Sequence, residues 1–239
     1  MKKTLLQILE SKIKGEVHHE KYFRKFYSVD SSSYQITPQI IVIPINEEDV
    51  IKTIKIAKKY ETSVTVRGAG TGLVGSALNY GIIIDMKKIN SIKINKKSAI
   101  VGSGVLKGKL DLELQKKEKF FPPNPSIGNF CSLGGMLGNN SSGSRSIKYG
   151  STIDNIKEIT FIDGNGKKIT LPKNKKVSKK IFQNIKIDDD KIPKTSKNSS
   201  GYQIKKITSE KNSHKIIIGS EGTLGIIISA KLNILDIQI

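Results

Sequence analysis

A glycine-rich segment, RGAGTGLVGSA at residues 67–77, is the part of the chain whose composition points most directly to ligand chemistry. Its four glycines within eight residues leave the backbone free to adopt positive φ, so successive N–H groups can turn inward and line a concavity that fits an anion. Arg67 is expected to place a permanent cation at the mouth of this concavity. The segment therefore predicts a phosphate-binding loop.

The spacing of glycines 70, 72 and 75 matches the dinucleotide fingerprint G-x-G-x-x-G, but the surrounding pattern argues against a Rossmann fold. That fold requires a helix to begin within the fingerprint and a full crossover before the next strand. Only residues 76–81 separate the last glycine from the apolar run at 82–85, which leaves no room for such a helix. The Walker pattern is also absent, because no Gly-Lys-Ser/Thr follows. The remaining alternative to a phosphate-binding loop is a tight turn, in which the glycines serve only the backbone conformation.

Two further glycine-rich segments make a turn alone a poor explanation. Residues 133–145 read LGGMLGNNSSGSR and combine free backbone N–H groups with short polar side chains, which suit the carbonyls and ring nitrogens of a heteroaromatic ligand. Residues 219–225, GSEGTLG, would be a plain turn between strands if they stood by themselves. Three such segments on one chain favour a long ligand that carries phosphates in its middle.

The charge of the chain does not predict a nucleic-acid partner, although its formal value is +20 over 239 residues. Arginine occurs only at positions 24, 67 and 145, so nearly all of the positive charge is lysine spread from end to end. Proteins that read nucleic acids depend on arginine forks and interleaved aromatic side chains, which are few here. No nucleic-acid partner is therefore expected.

The remaining composition narrows the class of protein. A single cysteine excludes an intrachain disulfide and an all-protein iron–sulfur site, and His18, His19 and His214 lack the spacing of metal ligands. No apolar run is long enough for a transmembrane segment. Leu5, Leu6, Leu9 and Ile13 fit one face of an amphipathic helix better than a signal peptide. A cytoplasmic protein without a metal is expected.

The pattern of apolar residues predicts how these segments are positioned. A strand at 39–43 ends at Pro44, a helix begins at the cap Asn46 with an acidic first turn, and strands follow at 63–66 and 82–85, giving a small β-α-β-β unit. A strand at 98–105 and a helix at 106–117 come next, and strands at 156–162 and 168–171 flank the turn sequence DGNG. Residues 173–200 are expected to form a mobile excursion, and residues 214–235 two strands joined by a glycine turn.

In their order and spacing, these segments resemble the FAD-binding (PCMH-type) domain of the vanillyl-alcohol-oxidase flavoprotein superfamily, in its branch of glycolate oxidase and D-lactate dehydrogenase-like FAD-linked oxidases. The resemblance runs from about residue 35 to 235 and is carried by the segments TVRGAGTGLVGSA (65–77), FFPPNPSIGNFCSLGGMLGNNSSGSRSIKYGSTIDNI (120–156), DGNGK (163–167), SSGYQI (199–204) and IGSEGTLGII (218–227). It implies an α+β fold in which FAD lies extended between two α+β subdomains. These would span 1–88, with the phosphate loop, and 89–239, with a mainly antiparallel sheet.

The resemblance also implies which residues touch the cofactor. The pyrophosphate would be held by Arg67, Gly68, Ala69, Gly70, Thr71, Gly72 and Leu73, with Ser76 nearby. The ribityl and adenosine portions would pack along Pro123, Asn124, Cys131, Ser132, Gly134 and Gly135. The isoalloxazine would be approached by Asn139, Asn140, Ser142 and Gly143. The adenine side would be closed by Gly219, Glu221, Gly222, Thr223, Gly225, Ile226 and Ile227.

Covalent members of that superfamily attach the flavin through a histidine near the first loop or a cysteine near the second. Residues 69–71 are Ala-Gly-Thr, so the FAD is predicted to be non-covalent, and Cys131 is interpreted as a packing residue rather than a tether. None of the three histidines lies in a motif that identifies a catalytic base.

Relatives with two domains carry a C-terminal substrate or cap domain, and this chain stops at Ile239. The resemblance therefore implies the FAD-binding part of a flavin-dependent oxidoreductase that oxidises a D-2-hydroxy acid of the D-lactate, glycolate or D-2-hydroxyglutarate type by hydride transfer to FAD. The expected partner is a chain that carries a cap domain or an iron–sulfur subunit. The alternative is a non-catalytic flavin-binding module or remnant.

Overall fold

Two β-sheets carry the fold in a computed structural model that describes residues 3–185, 195, 198 and 201–237. The strands are β1 (Glu16–His18), β2 (Ile40–Ile43), β3 (Val64–Arg67), β4 (Ile82–Asp85), β5 (Ile92–Asn95), β6 (Ser98–Gly102), β7 (Lys119–Phe120), β8 (Ile156–Ile162), β9 (Lys168–Leu171), β10 (Ile226–Asn233) and β11 (Leu235–Asp236). The α-helices are α1 (Leu5–Lys12), α2 (Lys21–Phe26), α3 (Glu47–Lys59), α4 (Lys107–Gln115), α5 (Leu133–Gly138), α6 (Ser146–Tyr149) and α7 (Lys175–Asn184). Short 3-10 helices lie at Met86–Lys88, Thr152–Asn155, Ile204–Lys206 and Glu210–Ile217.

The first sheet has the strand order β1-β2-β4-β3, and its last three strands are parallel. All residues of β2 and β4 are buried, as expected for central parallel strands that read as continuous apolar runs. Helix α3 lies on this sheet through Val50, Ile54 and Ala57. The Asn46 side chain accepts a hydrogen bond from the Asp49 N–H, which confirms the predicted cap.

The second sheet is antiparallel throughout, with the order β5-β6-β10-β8-β9. Strands β8 and β9 form the predicted hairpin, because Asp163 Oδ1 accepts the N–H groups of both Asn165 and Lys167 across the turn. Strand β10, which comes late in the chain, lies at the centre of this sheet.

The two sheets share one hydrophobic cluster, and a separate cluster, the second core, is formed by β6, β8 and β10 with α4 and α5. Ile162, Ile226 and Ile228 of the second sheet pack in the same cluster as Ile84 and Met86 of the first. Among the described residues, no helix is both long enough and apolar enough to cross a membrane. Leu9 and Ile13 of the N-terminal segment are buried in the shared core, which confirms the predicted amphipathic helix α1.

The prediction of two strands in 214–235 is wrong in its first half. Residues 210–217 form a 3-10 helix, and only β10 is a strand. The β-branched run at 216–218 favours a strand by propensity, but Ser213, His214 and Ile217 are buried at helical spacing. Tertiary packing has overridden local preference here.

The predicted mobile excursion at 173–200 is also wrong where the structure describes it. Helix α7 occupies ten residues, is capped by the Asn174 side chain on the Val177 N–H, and packs Val177 and Ile181 against the core. The many lysines of this segment obscure the helical spacing of Val177 and Ile181 in the sequence. Residues 186–194, 196–197 and 199–200 lie outside the described residues.

Candidate functional site

A cavity of about 480 Å³ lies where the two sheets meet, a volume within the range of small-molecule sites, about 300–1,000 Å³. All three glycine-rich segments contribute to its wall. Apolar residues that include Val64, Val66 and Ile226 form its floor, where a gap remains in the shared core. The structure thus brings together segments that are up to about 150 residues apart in the sequence.

The first wall is the loop that follows β3. Residues 68–72 line the cavity, and Gly70 has φ of +68°, a conformation that L side chains rarely adopt. A Cβ added at Gly68 would collide with the Ser132 Oγ of the second segment, so glycine is required for the two segments to approach this closely. The absence of a helix directly after this loop confirms that the fold is not Rossmann-like.

The second wall is helix α5 and the residues before it. Ser132 caps this helix by accepting a hydrogen bond from the Gly135 N–H at 3.2 Å. The N–H groups of Leu133 and Gly134 donate to the carbonyls of Val105 and Ser103, which holds the segment against the end of β6. Backbone pairing, rather than side-chain bulk, therefore positions this wall.

The third wall is attached to the second. The Gly219 N–H donates to the Leu137 carbonyl at 2.9 Å, and the Glu221 N–H donates to the Gly138 carbonyl at 3.0 Å. Residues 221–223 and 225 then line the cavity on the side opposite the first loop. The second and third segments consequently form one continuous wall.

Seventeen of the residues named for cofactor contact line this cavity. They are Gly68, Ala69, Gly70, Thr71, Gly72, Ser76, Cys131, Ser132, Gly134, Gly135, Asn139, Glu221, Gly222, Thr223, Gly225, Ile226 and Ile227.

The other eight do not line the cavity: Arg67, Leu73, Pro123, Asn124, Asn140, Ser142, Gly143 and Gly219. Leu73 is exposed at the tip of the first loop, whereas Asn140 is buried and its Oδ1 accepts the Ile153 N–H. Asn124 is turned toward the buried Lys107, whose Nζ lies 3.5 Å from its Oδ1. Asn124 and Asn140 are thus engaged with other residues of the protein, whereas Leu73 is exposed to solvent.

Arg67 is not at the mouth of the loop, which corrects its predicted position. Its side chain is only 9% exposed and lies beneath Gly70, where an added Cβ would be 2.6 Å from Nη2. The guanidinium is 5.3 Å from the centre of the Tyr27 ring, and Nη1 is buried without a hydrogen-bond partner. Burial lowers the pKa of Arg67, while Asp85 attracts the charged form.

Eighteen cavity residues were not predicted to contact the cofactor. They are Ile54, Ala57, Lys58, Thr62, Val64, Thr65, Val66, Ala77, Met86, Ser103, Pro125, Ile127, Met136, Gly138, Ser141, Ile162, Asp163 and Gly164. Five of them are apolar residues of strands or of α3, which have the same residue types as the core: Ile54, Ala57, Val64, Val66 and Ile162. No pattern in the sequence distinguishes a core position from one facing a gap in the core.

The cavity wall is poor in groups that could accept a proton. None of the three histidines lines it, and its ionisable side chains among the described residues are Lys58, Cys131, Asp163 and Glu221. No cluster of histidine, cysteine and acidic residues suited to a metal ion is present in that part of the chain. The wall is therefore built to bind and orient a ligand.

His214 lies outside the cavity and is expected to make folding stability depend on pH. Its Nε2 pairs with the Ile156 carbonyl at 3.0 Å, and burial lowers its pKa from 6.5 to about 4. Between these values the unfolded chain binds the proton and the folded chain does not, so stability is lost as pH falls through this window. Urea unfolding at pH 7.5 and 4.5 should show a loss of about 2 to 3 kcal/mol from this residue.

The His214→Gln variant separates the contribution of His214 to this loss of stability from the contributions of other titrating side chains. Its amide can still donate to the Ile156 carbonyl but does not titrate. The free energy difference between the variant and the parent should therefore shrink or reverse at pH 4.5. An unchanged difference across the two pH values would contradict the prediction.

Comparison with known proteins gives a consistent result. A family described as an FAD binding domain matches residues 38–172. The chain is 27% identical, over 95% of its length, to the D-2-hydroxyglutarate dehydrogenase of Pseudomonas putida, and it spans 25% of that protein. It is 30% identical, over 83% of its length, to the D-lactate dehydrogenase of Anaerostipes hadrus, and it spans 36% of that protein. Among solved structures, alkyldihydroxyacetonephosphate synthase superposes with a TM-score of 0.73 at 22% identity, and the match covers 97% of this chain and 40% of the synthase chain.

Proposed function

Because this chain belongs to the FAD binding domain family and its cofactor is FAD, we propose that it is the flavin-binding part of an oxidoreductase that acts on a D-2-hydroxy acid. The predicted α+β, PCMH-type fold is confirmed by the likeness to solved structures. The substrate class rests on the relatives, which are named as D-2-hydroxyglutarate and D-lactate dehydrogenases. The chain spans about a quarter of the length of the D-2-hydroxyglutarate dehydrogenases it matches.

The single observation that carries the proposal is the cavity between the sheets, which fits an elongated nucleotide. Three glycine-rich segments form its walls, and in the first of them the N–H groups of residues 68–72 donate to no backbone carbonyl of the described residues. Gly138 and Gly222 line it, and a Cβ added at either would meet nothing within 4 Å, so the space beside them is open. A cavity of this shape, with few charged side chains, suits a ligand that brings its own charge and reactive ring.

Within this cavity, we propose that residues 68–72 and Ser76 hold the pyrophosphate. Residues 131–135 would contact the ribityl and adenosine portions, Asn139 the isoalloxazine, and residues 221–226 the adenine side. The two proposed subdomains, 1–88 and 89–239, are supported by the way the first sheet draws on residues 16–85 and the second on residues 92–233. When bound, FAD supplies the hydride acceptor, and the residues of this chain supply binding, orientation and exclusion of water.

We further propose that the groups that bind and deprotonate the hydroxy acid come from outside the described residues. Deprotonation of a hydroxyl requires a positioned base, but no histidine of the described residues lines the cavity. Asp163 is held in the β8–β9 turn by the Asn165 and Lys167 N–H groups, which leaves Glu221 as the other carboxylate in the wall. A cap or substrate domain on a partner chain would supply them, and an iron–sulfur subunit is the alternative partner.

An absorbance titration tests the proposed function. The purified chain is expected to show a flavin band after addition of FAD, and the band should bleach anaerobically with D-lactate, D-2-hydroxyglutarate or glycolate once a cap-bearing partner is present. A band that bleaches with none of these acids, with or without the partner, would favour a non-catalytic flavin module. Failure to bind FAD at all would overturn the proposal.

The flavin is expected to be released intact when the protein is denatured. Cys131 lines the cavity, but burial raises the pKa of its thiol, so at neutral pH it remains a thiol and a weak nucleophile. Acid precipitation should leave the flavin fluorescence in the supernatant, and the Cys131→Ser variant should behave in the same way. Fluorescence that stays with the precipitated parent protein but not with the variant would show a covalent link.

A further inference from the structure

A second groove lies on the opposite edge of the fold from the hairpin β8–β9, between strand β5 and helix α4. It has a volume of about 390 Å³ and is lined by six residues: Asn90, Ile92, Ile94, Lys109, Glu113 and Lys117. None of these residues lines the flavin cavity. The groove therefore needs an explanation that the cofactor does not provide.

The outer edge of β5 offers unpaired backbone groups at two residues. The Gly102 N–H donates to the Ser91 carbonyl, so residues 91 and 102 form a hydrogen-bonded pair of the β5–β6 ladder. Because such pairs alternate along antiparallel strands, Lys93 and Asn95 also direct their backbone groups to β6. The N–H and C=O groups of Ile92 and Ile94 then point away from the sheet, and within the described residues no strand pairs with this edge.

The side chains beside this edge combine an apolar floor with basic walls. Ile92 and Ile94 are half-buried and pack against the second core, whereas Lys93 is exposed. On the helix side, Glu113 pairs with Lys116 at 2.7 Å, while Lys109 and Lys117 form no ion pair with any described residue. The groove therefore presents aliphatic surface, strand-forming backbone and a net positive charge together, since Lys109 and Lys117 outnumber Glu113.

We propose that this groove binds an extended, acidic segment of another protein chain, which adds to the sheet as a strand beside β5. Strand addition to an exposed edge obtains affinity from main-chain hydrogen bonds and specificity from alternate side chains. Because alternate side chains point to opposite faces of a strand, the face of the added strand that lies over the groove would carry both kinds of side chain: aliphatic ones over Ile92 and Ile94, and carboxylates beside Lys109 and Lys117. A second copy of this chain is disfavoured as the partner, because its β5 would bring Lys93 close to the positive charges of Lys109 and Lys117.

The test uses two labelled eight-residue peptides, one with the repeat Glu-Thr-Val-Thr and the other with the repeat Lys-Thr-Val-Thr, so that the charged and the aliphatic side chains share one face of the strand. Fluorescence anisotropy with the FAD-loaded chain at low salt should show at least tenfold tighter binding of the glutamate peptide. The double variant Lys109→Glu, Lys117→Glu should lose that preference. The variant Lys21→Glu, Lys25→Glu on α2 changes the net charge equally, far from the groove in sequence, and should retain it.

Hydrogen exchange locates the bound strand. The amides of Ile92 and Ile94 should exchange rapidly in the free chain and become protected with the glutamate peptide, whereas those of Lys93 and Asn95 are protected throughout. Equal binding of both peptides, equal loss in the two charge variants, or unchanged exchange at residues 92 and 94 would each overturn the proposal. A dimer that dissociates in the groove variant would assign the groove to a second copy instead. Retention of flavin absorbance by each variant shows that it is folded.

Discussion

Replacing Gly72 by glutamate is expected to lower the affinity for FAD by about 100-fold or more. Gly72 lines the cavity and does not adopt positive φ, and an added Cβ would lie 3.4 Å from Ser76 Oγ and 4.0 Å from Asn139 Nδ2. The backbone can therefore accept a side chain there without strain. A carboxylate placed beside the proposed pyrophosphate site would repel a phosphate about 4 Å away by roughly 4 kcal/mol at an effective dielectric constant near 20.

The matched control is Gly72→Gln, which has nearly the same volume without the charge. Fluorescence titration of FAD should place the glutamine variant between the parent and the glutamate variant. If glutamine and glutamate weaken binding equally, the effect is steric and the phosphates do not lie beside this loop. Gly70 is a poorer site for the same experiment, because its positive φ and its approach to Arg67 would strain the fold as well.

The substitution Asp85→Asn is expected to destabilise the fold by about 3 kcal/mol, the cost typical of leaving a buried charge without its partner. Asp85 is buried, accepts the Tyr27 hydroxyl at 2.6 Å and the Lys87 N–H at 2.9 Å, and is the main carboxylate acting on the buried Arg67. Removing its charge leaves the Arg67 guanidinium beneath the first loop with less compensation. Urea unfolding at neutral pH measures the change.

Two further variants separate charge from packing. Lys87→Ala removes only a half-exposed cation 3.6 Å from the same carboxylate and should cost less than about 1 kcal/mol. Combining Arg67→Met with Asp85→Asn should be less destabilising than Asp85→Asn alone, since no unpaired charge is then left inside. A double variant that shows the full sum of both losses would mean that the two side chains do not interact.

Local chemistry made much of the fold predictable. Asn46 and the acidic turn after it define the start of α3, and Asp163 fixes the β8–β9 hairpin through its own turn. These signals act over a few residues, so the sequence alone contains them. The glycine-rich segments were recognisable for the same reason, and seventeen of the residues named in them and near them line one cavity.

What the sequence does not contain is the outcome of long-range packing. Arg67 follows directly on a strand and precedes the glycines, yet its position is decided by Tyr27 and Asp85, which are distant in the chain. The helix at 210–217 forms because its Ser213 and His214 side chains find partners on Ser178 and Ile156. The apolar residues of the cavity wall were not predicted, because the same residue types occupy packed core positions and positions that face a cavity.

The late position of β10 in the chain has a consequence for biosynthesis. This strand inserts between β6 and β8, and its first residues, Ile226 and Ile227, line the cavity. While residues 1–225 emerge from the ribosome, β6 and β8 have no common neighbour and the gap that holds the cofactor has no floor. Domains generally fold as units during synthesis, so the flavin can be captured only after residue 233 has left the exit tunnel. Loading of the flavin therefore comes late in the synthesis of residues 1–239, after β10 has joined β6 and β8.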